Sequence, residues 1–393
     1  MALRGGIGEA RRKRRRAGAF RVAVCIDTRD APGRERLVGA YRYALERGWY
    51  LFLVRGDDAA ACHQMAGLHV DGAILYDREP GLHRALRRLG AVTVEASARN
   101  LDLDNAAVFA DDQKIARMAA DHLIASGFEH FAYCGMAHSH QSLTRGEHFC
   151  DLITRRGFSA TAFSGVWPDG EIALPPLVRW LRGIPRPAGI LASDDRVAER
   201  VLAACRWLGL KVPDEIGVLG TSNDELMCEL THPRLSSVAL PTSELGRRAA
   251  ELLERILIGR PPRRPFLTLA PLEVIARAST DRTSAKDPKI AAAIEFIRAN
   301  ARRPIGTDQL ADSVGIPRRT LERRFAKDTG QTIHQFLVEI RLRHAKQFLR
   351  HSDAPLNEVA RYCGYLATSA FTRMFSASAG CHPETYRRQY RGR

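Results

Sequence analysis

Residues 307–330 read TDQLADSVGIPRRTLERRFAKDTG, and residues 356–380 read LNEVARYCGYLATSAFTRMFSASAG. The second stretch repeats the packing pattern of the first. Leu310, Ala311, Val314 and Gly315 return as Val359, Ala360, Cys363 and Gly364, 49 positions later. Beyond the turn the offset is 50, so that Leu321 answers to Phe371, Phe325 to Phe375 and Gly330 to Gly380. An apolar helix face, a glycine suited to a left-handed turn and a second apolar face make a helix-turn-helix. Two such units on one body can enter successive major grooves about one helical turn apart. The extra residue falls inside the second turn, and the packing positions on both sides survive it.

Within the first unit, Thr307 is the expected N-cap, with Asp308 favourably placed in the first turn. Pro317 suits the first turn of the next helix, which buries Leu321 and Phe325. Arg318, Arg319, Glu322 and Arg323 are then left outside. A guanidinium there forks onto guanine O6 and N7 or onto phosphate, although a charged helix face is often only solvated. In the second unit Pro355 opens a helix. Thr368, Ser369, Thr372 and Arg373 face outward from the next one, with Phe371 and Phe375 inward. With fewer cations, this unit is expected to anchor on phosphate more than it discriminates bases. Between the units, Ile333, Phe336, Leu337, Ile340, Ala345, Phe348 and Leu349 recur at helical steps, predicting one long helix that fixes their separation. Arg341, Arg343 and Lys346 fall on or beside its polar face, for solvation or phosphate contact.

Residues 288–390 resemble the AraC family over the domain's full length, including Gly364-Tyr365, the stretch from Ser369 to Phe375, Gly380, Pro383 and Tyr386-Arg387. The resemblance implies a seven-helix domain. In it, the positions of Arg319, Glu322, Arg323, Thr368, Ser369 and Arg373 face bases or backbone of double-stranded DNA.

Charge agrees. The net +16 of the 393 residues divides into +6 over residues 1–16, +10 over 288–393 and about zero between. A basic balance confined to one domain is the footprint of a polyanion partner. Residues 1–19 read as a disordered basic tail, either a solvated leader or a nonspecific phosphate contact. No apolar run is long enough for a membrane span, and Ala17–Asp27 turns polar too soon for a secretory segment. The eight cysteines show no C-x-x-C or metal spacing and read as reduced, buried thiols. The expectation is a cytoplasmic, nucleoid-associated protein with no membrane partner, no metal and no cofactor.

Upstream, residues 20–282 alternate strand and helix patterns. Apolar runs at Val22–Ile26, Tyr50–Val54, Ala73–Tyr76, Ala91–Val94, Phe131–Cys134, Gly189–Ala192 and Ile216–Leu219 are separated by amphipathic stretches. The latter are Arg34–Arg47, Asp112–Ser126, Arg145–Arg156, Asp195–Leu208 and Ser243–Ile258. Parallel sheets covered by helices follow, in two blocks. Ligands of such sheets bind beyond the carboxyl ends of strands, which marks the loops Asp27–Gly33, Gly135–Arg145, Ser193–Asp195 and Gly220–Asp224. Residues 283–288 form a polar linker ending in proline, and 289–393 the all-α domain.

Two segments carry a second resemblance, to the LacI family and its two-lobed type I periplasmic-binding-protein fold: Ala110–Gly135 and Gly189–Leu253. The latter contains Ala192-Ser193-Asp194-Asp195, Leu208 to Pro213 and Ser236-Ser237-Val238. The expected fold class is therefore an α/β two-lobed sensor followed by an all-α double helix-turn-helix domain. The resemblance places Arg145 and Asp194 where an arginine and an acid or amide grip sugar hydroxyls, and Asp27 at the first strand's end. Arg145 has the alternative of pairing with Asp151 or Glu147, and Asp194 of capping its helix. Ser222 stands where such sites keep an aspartate, and Leu240 where an amide is frequent. Each hydroxyl left underpaired costs about 1–3 kcal/mol, so Asn223 or Asp224 is a candidate replacement.

The chain thus reads as a sequence-specific transcriptional regulator, an activator of sugar catabolism genes, with xylose or another sugar-like molecule as effector. It is expected to act as a homodimer and, as an activator, with RNA polymerase. One rival makes the sensing core a dimerisation platform only, which the loss of the aspartate at Ser222 favours. An enzyme lacks its motifs: Gly5-Gly6-Ile7-Gly8 misses dinucleotide spacing, and His138 with His140 has no carboxylates at ligand spacing. A secreted solute-binding protein would not need the last hundred residues.

Overall fold

The computed structural model describes residues 20–54, 58–76, 80–97, 106–165, 174–263, 265–282 and 287–391. The basic tail and residues 283–286 of the expected linker lie outside them. The chain divides into two compact units, Met1–Arg282 and Thr283–Arg393.

The first unit holds two six-stranded sheets. One contains β1 (Arg21–Cys25), β2 (Tyr50–Leu53), β3 (Gly72–Leu75), β4 (Val92–Glu95), β5 (Ala106–Ala110) and β11 (Phe266–Leu269), in the order β11-β5-β4-β3-β1-β2. Its strands are all parallel. The other contains β6 (His130–Met136), β7 (Ala160–Gly165), β8 (Ala188–Ala192), β9 (Ile216–Ser222), β10 (Ser236–Ala239) and β12 (Val274–Ile275), in the order β12-β10-β9-β8-β6-β7. Only the short β12 is antiparallel to its neighbour. Strands β1, β3 and β8 are almost wholly buried apolar runs, as parallel strands covered on both faces must be. In each sheet the order of strands reverses, between β1 and β3 and again between β6 and β8. Those reversals open crevices at the strand ends.

The helices here are α1 (Ala31–Glu46), α2 (Asp58–Leu68), α3 (Pro80–Arg88), α4 (Asp112–Ala125), α5 (His140–Arg155), α6 (Leu174–Arg182), α7 (Asp195–Trp207), α8 (Glu225–Leu230) and α9 (Thr242–Leu257). A 3-10 turn covers Ala278–Thr280. Among the described residues the chain crosses between lobes after β5, after β10 and after β11, so closure can occur about three short segments. Helices α1 and α9 pack so closely that a Cβ on Gly246 would strike the Arg36 carbonyl, and one on Gly39 that of Ser243.

All seven expected strands are present with ends within one to three residues. The expected helix at Arg34 starts at Ala31, because Asp30 caps it by accepting from the Gly33 N–H (2.8 Å). Likewise the one at Arg145 starts at His140, capped by Ser139. Of five further strands, β7 alternates half-buried with exposed residues and β12 has two residues, while β5 is an apolar run that the sequence reading passed over. Of the cysteines assigned to the core, Cys150 and Cys381 are only half-buried.

The second unit is helical throughout among the described residues: α10 (Pro288–Asn300), α11 (Thr307–Val314), α12 (Arg318–Thr329), α13 (Ile333–His351), α14 (Leu356–Tyr362), α15 (Thr368–Ala379) and α16 (Pro383–Arg391). Pro288, assigned to the linker, is already the first helical residue. Gly306 rather than Thr307 is the N-cap of α11, and Pro317 and Pro355 sit at the cap one residue ahead of their helices. Gly315 (φ 65°) and Gly364 (φ 77°) make the two left-handed turns. There are two separate cores. One gathers Ile290, Ile297, Leu310, Leu321, Phe325 and Ile340; the other gathers Ala345, Leu349, Val359, Phe371, Phe375 and Tyr386. Helix α13, opened by a Thr332–Gln335 capping box, supplies side chains to both.

Candidate effector cleft and DNA-reading face

The crevice between the lobes is lined by residues that follow strand ends: Asp30 and Pro32 after β1, Tyr76 after β3, Ser139 to Arg145 after β6, Ser193 to Arg196 after β8, Ser222 and Asp224 at β9, and Leu240 after β10. It holds about 60 Å³ of free space and is open to solvent.

Arg145 is 3% exposed and does not pair with Asp151 or Glu147. Its Nε donates to Asp112 Oδ1 (2.8 Å), and its Nη1 donates to the Ser193 carbonyl. Nη2 comes within 2.7 Å of the same Asp112 oxygen but has no hydrogen bond. The Ser193 hydroxyl is likewise buried and unpartnered. Asp112 stands at the first lobe crossing, so Arg145 ties the hinge to the cleft wall. Burial pushes the Asp112 carboxyl up even beside that guanidinium.

Asp194 caps α7 through the Val197 N–H (2.8 Å) and lies 3.4 Å from Arg196, while still lining the cleft. Ser222 lines it too, in the left-handed region (φ 109°), as does Leu240, which is buried. The structure therefore brings Arg145, Asp194 and Ser222 together.

Asp27 and Asn223 are not part of that lining, which corrects their placement from sequence. Asp27 is taken by Arg29, whose Nη2 donates at 2.6 Å and holds the carboxyl below its ordinary range. The Asn223 side-chain oxygen accepts from Arg277 Nη1 (3.0 Å), and its N–H donates to Ser237 Oγ (3.0 Å). Asp224 is also committed: Oδ1 caps the Met227 N–H (3.3 Å), and Oδ2 accepts the Ala31 N–H across the lobes (3.1 Å). Residues missed in sequence are Tyr76, directly after β3, and Arg36, on α1. Arg36 stacks over Tyr76 (4.3 Å).

Two acids on the elements around the cleft have raised carboxyl pKa values, and of these only Asp195 is buried while Glu35 is exposed. Asp195 accepts from Ser237 Oγ (2.6 Å) and the Asp224 N–H (2.7 Å). Even so, burial pushes it up to about 7. Glu35, which accepts from Thr242 Oγ1 at the second crossing, is also pushed up to about 7 by desolvation of its carboxyl. Both therefore hold a proton more tightly folded than unfolded. The contribution of Asp195, the buried one, is complete at low pH and is lost as pH rises through about 7, whereas solvent screening leaves exposed Glu35 a small part of it. The melting midpoint is expected to fall between pH 5.5 and 8, and Asp195→Asn to flatten that slope. Scanning calorimetry across this range checks it, and a midpoint rising with pH contradicts it.

On the DNA side, Arg319, Arg323 and Arg373 are exposed, and among the described residues they have no carboxylate partner. Arg318 is engaged instead, with Glu322 (2.9 Å) and Asp308 (3.2 Å), so those expected DNA contacts are closed on each other. Ser369 is exposed, and Thr368 and Thr372 are half-buried on α15. Arg341, read as solvated or phosphate-bound, is buried against backbone carbonyls. Among the described residues no helix is long and apolar enough to cross a membrane, and no cluster of His, Cys, Asp and Glu is arranged to hold a metal ion.

A cleft at the switch points of two sheets, joined in one chain to paired helix-turn-helix units, defines a class: DNA-binding transcriptional regulators with a periplasmic-binding-protein-like sensor and an AraC-type reading domain. Residues 120–280 match the periplasmic binding protein-like domain, and residues 310–389 a helix-turn-helix domain. The xylose operon regulatory protein of Escherichia coli K12 is 32% identical over 283 residues, 70% of this chain and 72% of its own length. That of Haemophilus influenzae is 29% identical over 382 residues, 94% of this chain and 98% of its own. The chain belongs to the family of the xylose operon regulatory proteins. Its fold is similar to the structure of the xylose-binding transcription activator XylR (TM-score 0.66, 27% identity, covering 94% of this chain and 98% of that one). The lac repressor dimer bound to operator shares the sensor fold at 18% identity, with a TM-score of 0.54 over 68% of this chain and 97% of that one.

Proposed function

We propose that this chain activates sugar-utilisation genes in response to a monosaccharide, xylose or a close analogue, bound in the interlobe cleft. The observation that carries the reading is the buried Ser193 hydroxyl, which has no hydrogen-bond partner, in a cleft wall it shares with the buried guanidinium of Arg145. An orphaned buried donor costs about 1–3 kcal/mol, which a sugar hydroxyl recovers. Xylose is favoured because the similar structure that spans 94% of this chain is that of a xylose-binding transcription activator. The same likeness supports activation, and an activator would act with RNA polymerase as partner. The relatives are regulators, which supports a non-enzymatic role.

Effector grip on Ser222 has a route outward. Neighbouring Asn223, also left-handed (φ 57°), is held by Arg277. Arg277 further binds Glu229 (2.6 Å) and the Leu235 carbonyl (2.9 Å) and begins the segment leading to the linker. Ligand affinity that differs between open and closed cleft would shift this segment; equal affinity would shift nothing.

A homodimer is supported by exposed apolar side chains. Val38, Tyr41 and Leu45 form a stripe on α1, and Leu226 and Leu230, both over 60% exposed, stand on α8. The α8 pair edges an outer groove of about 600 Å³ that Arg29 and Arg34 of the other lobe complete. Apolar surface of this kind marks an interface, and a second copy covering both lobes would feel their closure.

Thermal melting tests the effector: xylose well above its dissociation constant raises the midpoint. No shift with any monosaccharide leaves the sensor as a dimerisation platform. For DNA, Arg323→Ala is expected to cost about 1–3 kcal/mol at one operator position. Affinity measured across single-base operator variants checks this. A uniform loss at every position reassigns Arg323 to backbone anchoring.

A further inference from the structure

The two helix-turn-helix units have separate apolar cores, and α13 is the element that enters both. A helix shared in this way leaves each unit free to rock about it unless something else ties them. Arg341 lies on α13 between Ile340, the last residue of that helix in the first core, and Ala345, in the second. It is 9% exposed. Its Nε donates to the Ala301 carbonyl (2.9 Å) and its Nη2 to the Arg303 carbonyl (2.8 Å), both in the loop after α10 of the first unit. Its guanidinium also lies over the ring of Tyr365, in the turn of the second unit (4.8 Å). Tyr365 in turn packs against Phe371 of the second core (6.0 Å).

Gly364 completes the junction. A Cβ there would stand 2.7 Å from the Ala301 carbonyl oxygen, 2.9 Å from Arg341 Nη2 and 3.0 Å from the Arg303 carbonyl oxygen. The second turn is therefore seated directly on the first unit's loop, and Arg302 of that loop lies over Tyr362 (4.4 Å). A planar fork with fixed donor directions suits two adjacent carbonyls, which a lysine cannot hold in the same way.

We infer that Arg341 is a positioning residue that locks the two reading units at one fixed separation, so that the protein selects operators by the spacing of their two elements. Two tied modules bind cooperatively only when their geometry matches both sites at once. An untied pair accepts several spacings and gains less from each.

The test uses the full chain and a duplex selected from a random-sequence library with the unaltered protein, plus the same duplex with one base pair inserted or removed between its two elements. Arg341→Lys keeps the charge and loses the fork, and Gly364→Ala attacks the same junction from the other side. The unaltered protein should discriminate sharply against the altered spacings. Both variants should bind the selected duplex about tenfold or more weakly, with the preference among spacings compressed, and with unchanged affinity for unrelated DNA. Circular dichroism should show helix content retained. Folded variants with full spacing preference overturn the inference. So does Arg341→Lys binding as well as the unaltered chain, which would make Arg341 a phosphate contact; a loss shared equally by all DNA does the same.

Discussion

Replacing Arg145 by alanine is expected to cost the sensor about 3–5 kcal/mol of stability and to remove its response to sugar, because a buried ion pair is broken from one side. Asp112, 8% exposed, then keeps its carboxylate with no cation beside it. The Ser193 carbonyl loses its donor as well. Deleting both charges avoids the stranded carboxylate, so Arg145→Met with Asp112→Leu should be less damaging than Arg145→Ala alone. Urea denaturation of the three proteins, with melting in the presence of xylose, separates the two roles. An Arg145 that only reached into the cleft for sugar would lose the ligand shift and leave stability nearly unchanged.

Gly246→Val is expected to be the most damaging change away from the cleft. Helix propensity alone favours replacing a helical glycine, by about 1 kcal/mol for alanine. Close approach wins here, since the new Cβ meets the backbone of Arg36, and Gly39 allows no retreat on the opposite helix. Overpacking of this kind costs about 1–3 kcal/mol and more where backbone must move. The loss should reach or exceed the upper value, because α1 and α9 are joined along their lengths. Gly67→Ala on α2 is the control, for nothing lies within 4 Å of its Cβ position. Equal midpoints for Gly246→Val and the unaltered protein would show that the α1–α9 contact is not tight in solution.

Local chemistry was readable in the sequence, and contacts between distant residues were not. Gly315 and Gly364 announced the two turns, because a left-handed residue in a helical context demands glycine. Alternating apolar runs announced two parallel sheets, and the loops at strand ends marked where the cleft would lie. Strands such as β7 and β12 escaped because one is an exposed edge and the other is two residues long. The partners of the site residues escaped for a different reason. Asp112 lies 33 positions before Arg145, and Arg277 lies 54 after Asn223. Periodicity cannot reveal which of several carboxylates a guanidinium will meet. Arg341 shows the same limit: a cation beside a helix's polar face read as solvated or phosphate-bound, and only packing showed that backbone carbonyls 40 and 38 positions earlier enclose it.

The central claim is that sugar in the cleft controls DNA reading by the distant helices. Its most direct test is operator affinity of the full chain, on a duplex selected from a random library, with and without saturating xylose and a panel of other monosaccharides. The account predicts that at least one monosaccharide changes the affinity several-fold in the unaltered protein and leaves Ser193→Val, which lacks an orphaned hydroxyl, with a weakened response. Affinity unchanged by every monosaccharide, in a chain that still binds its operator, would contradict it.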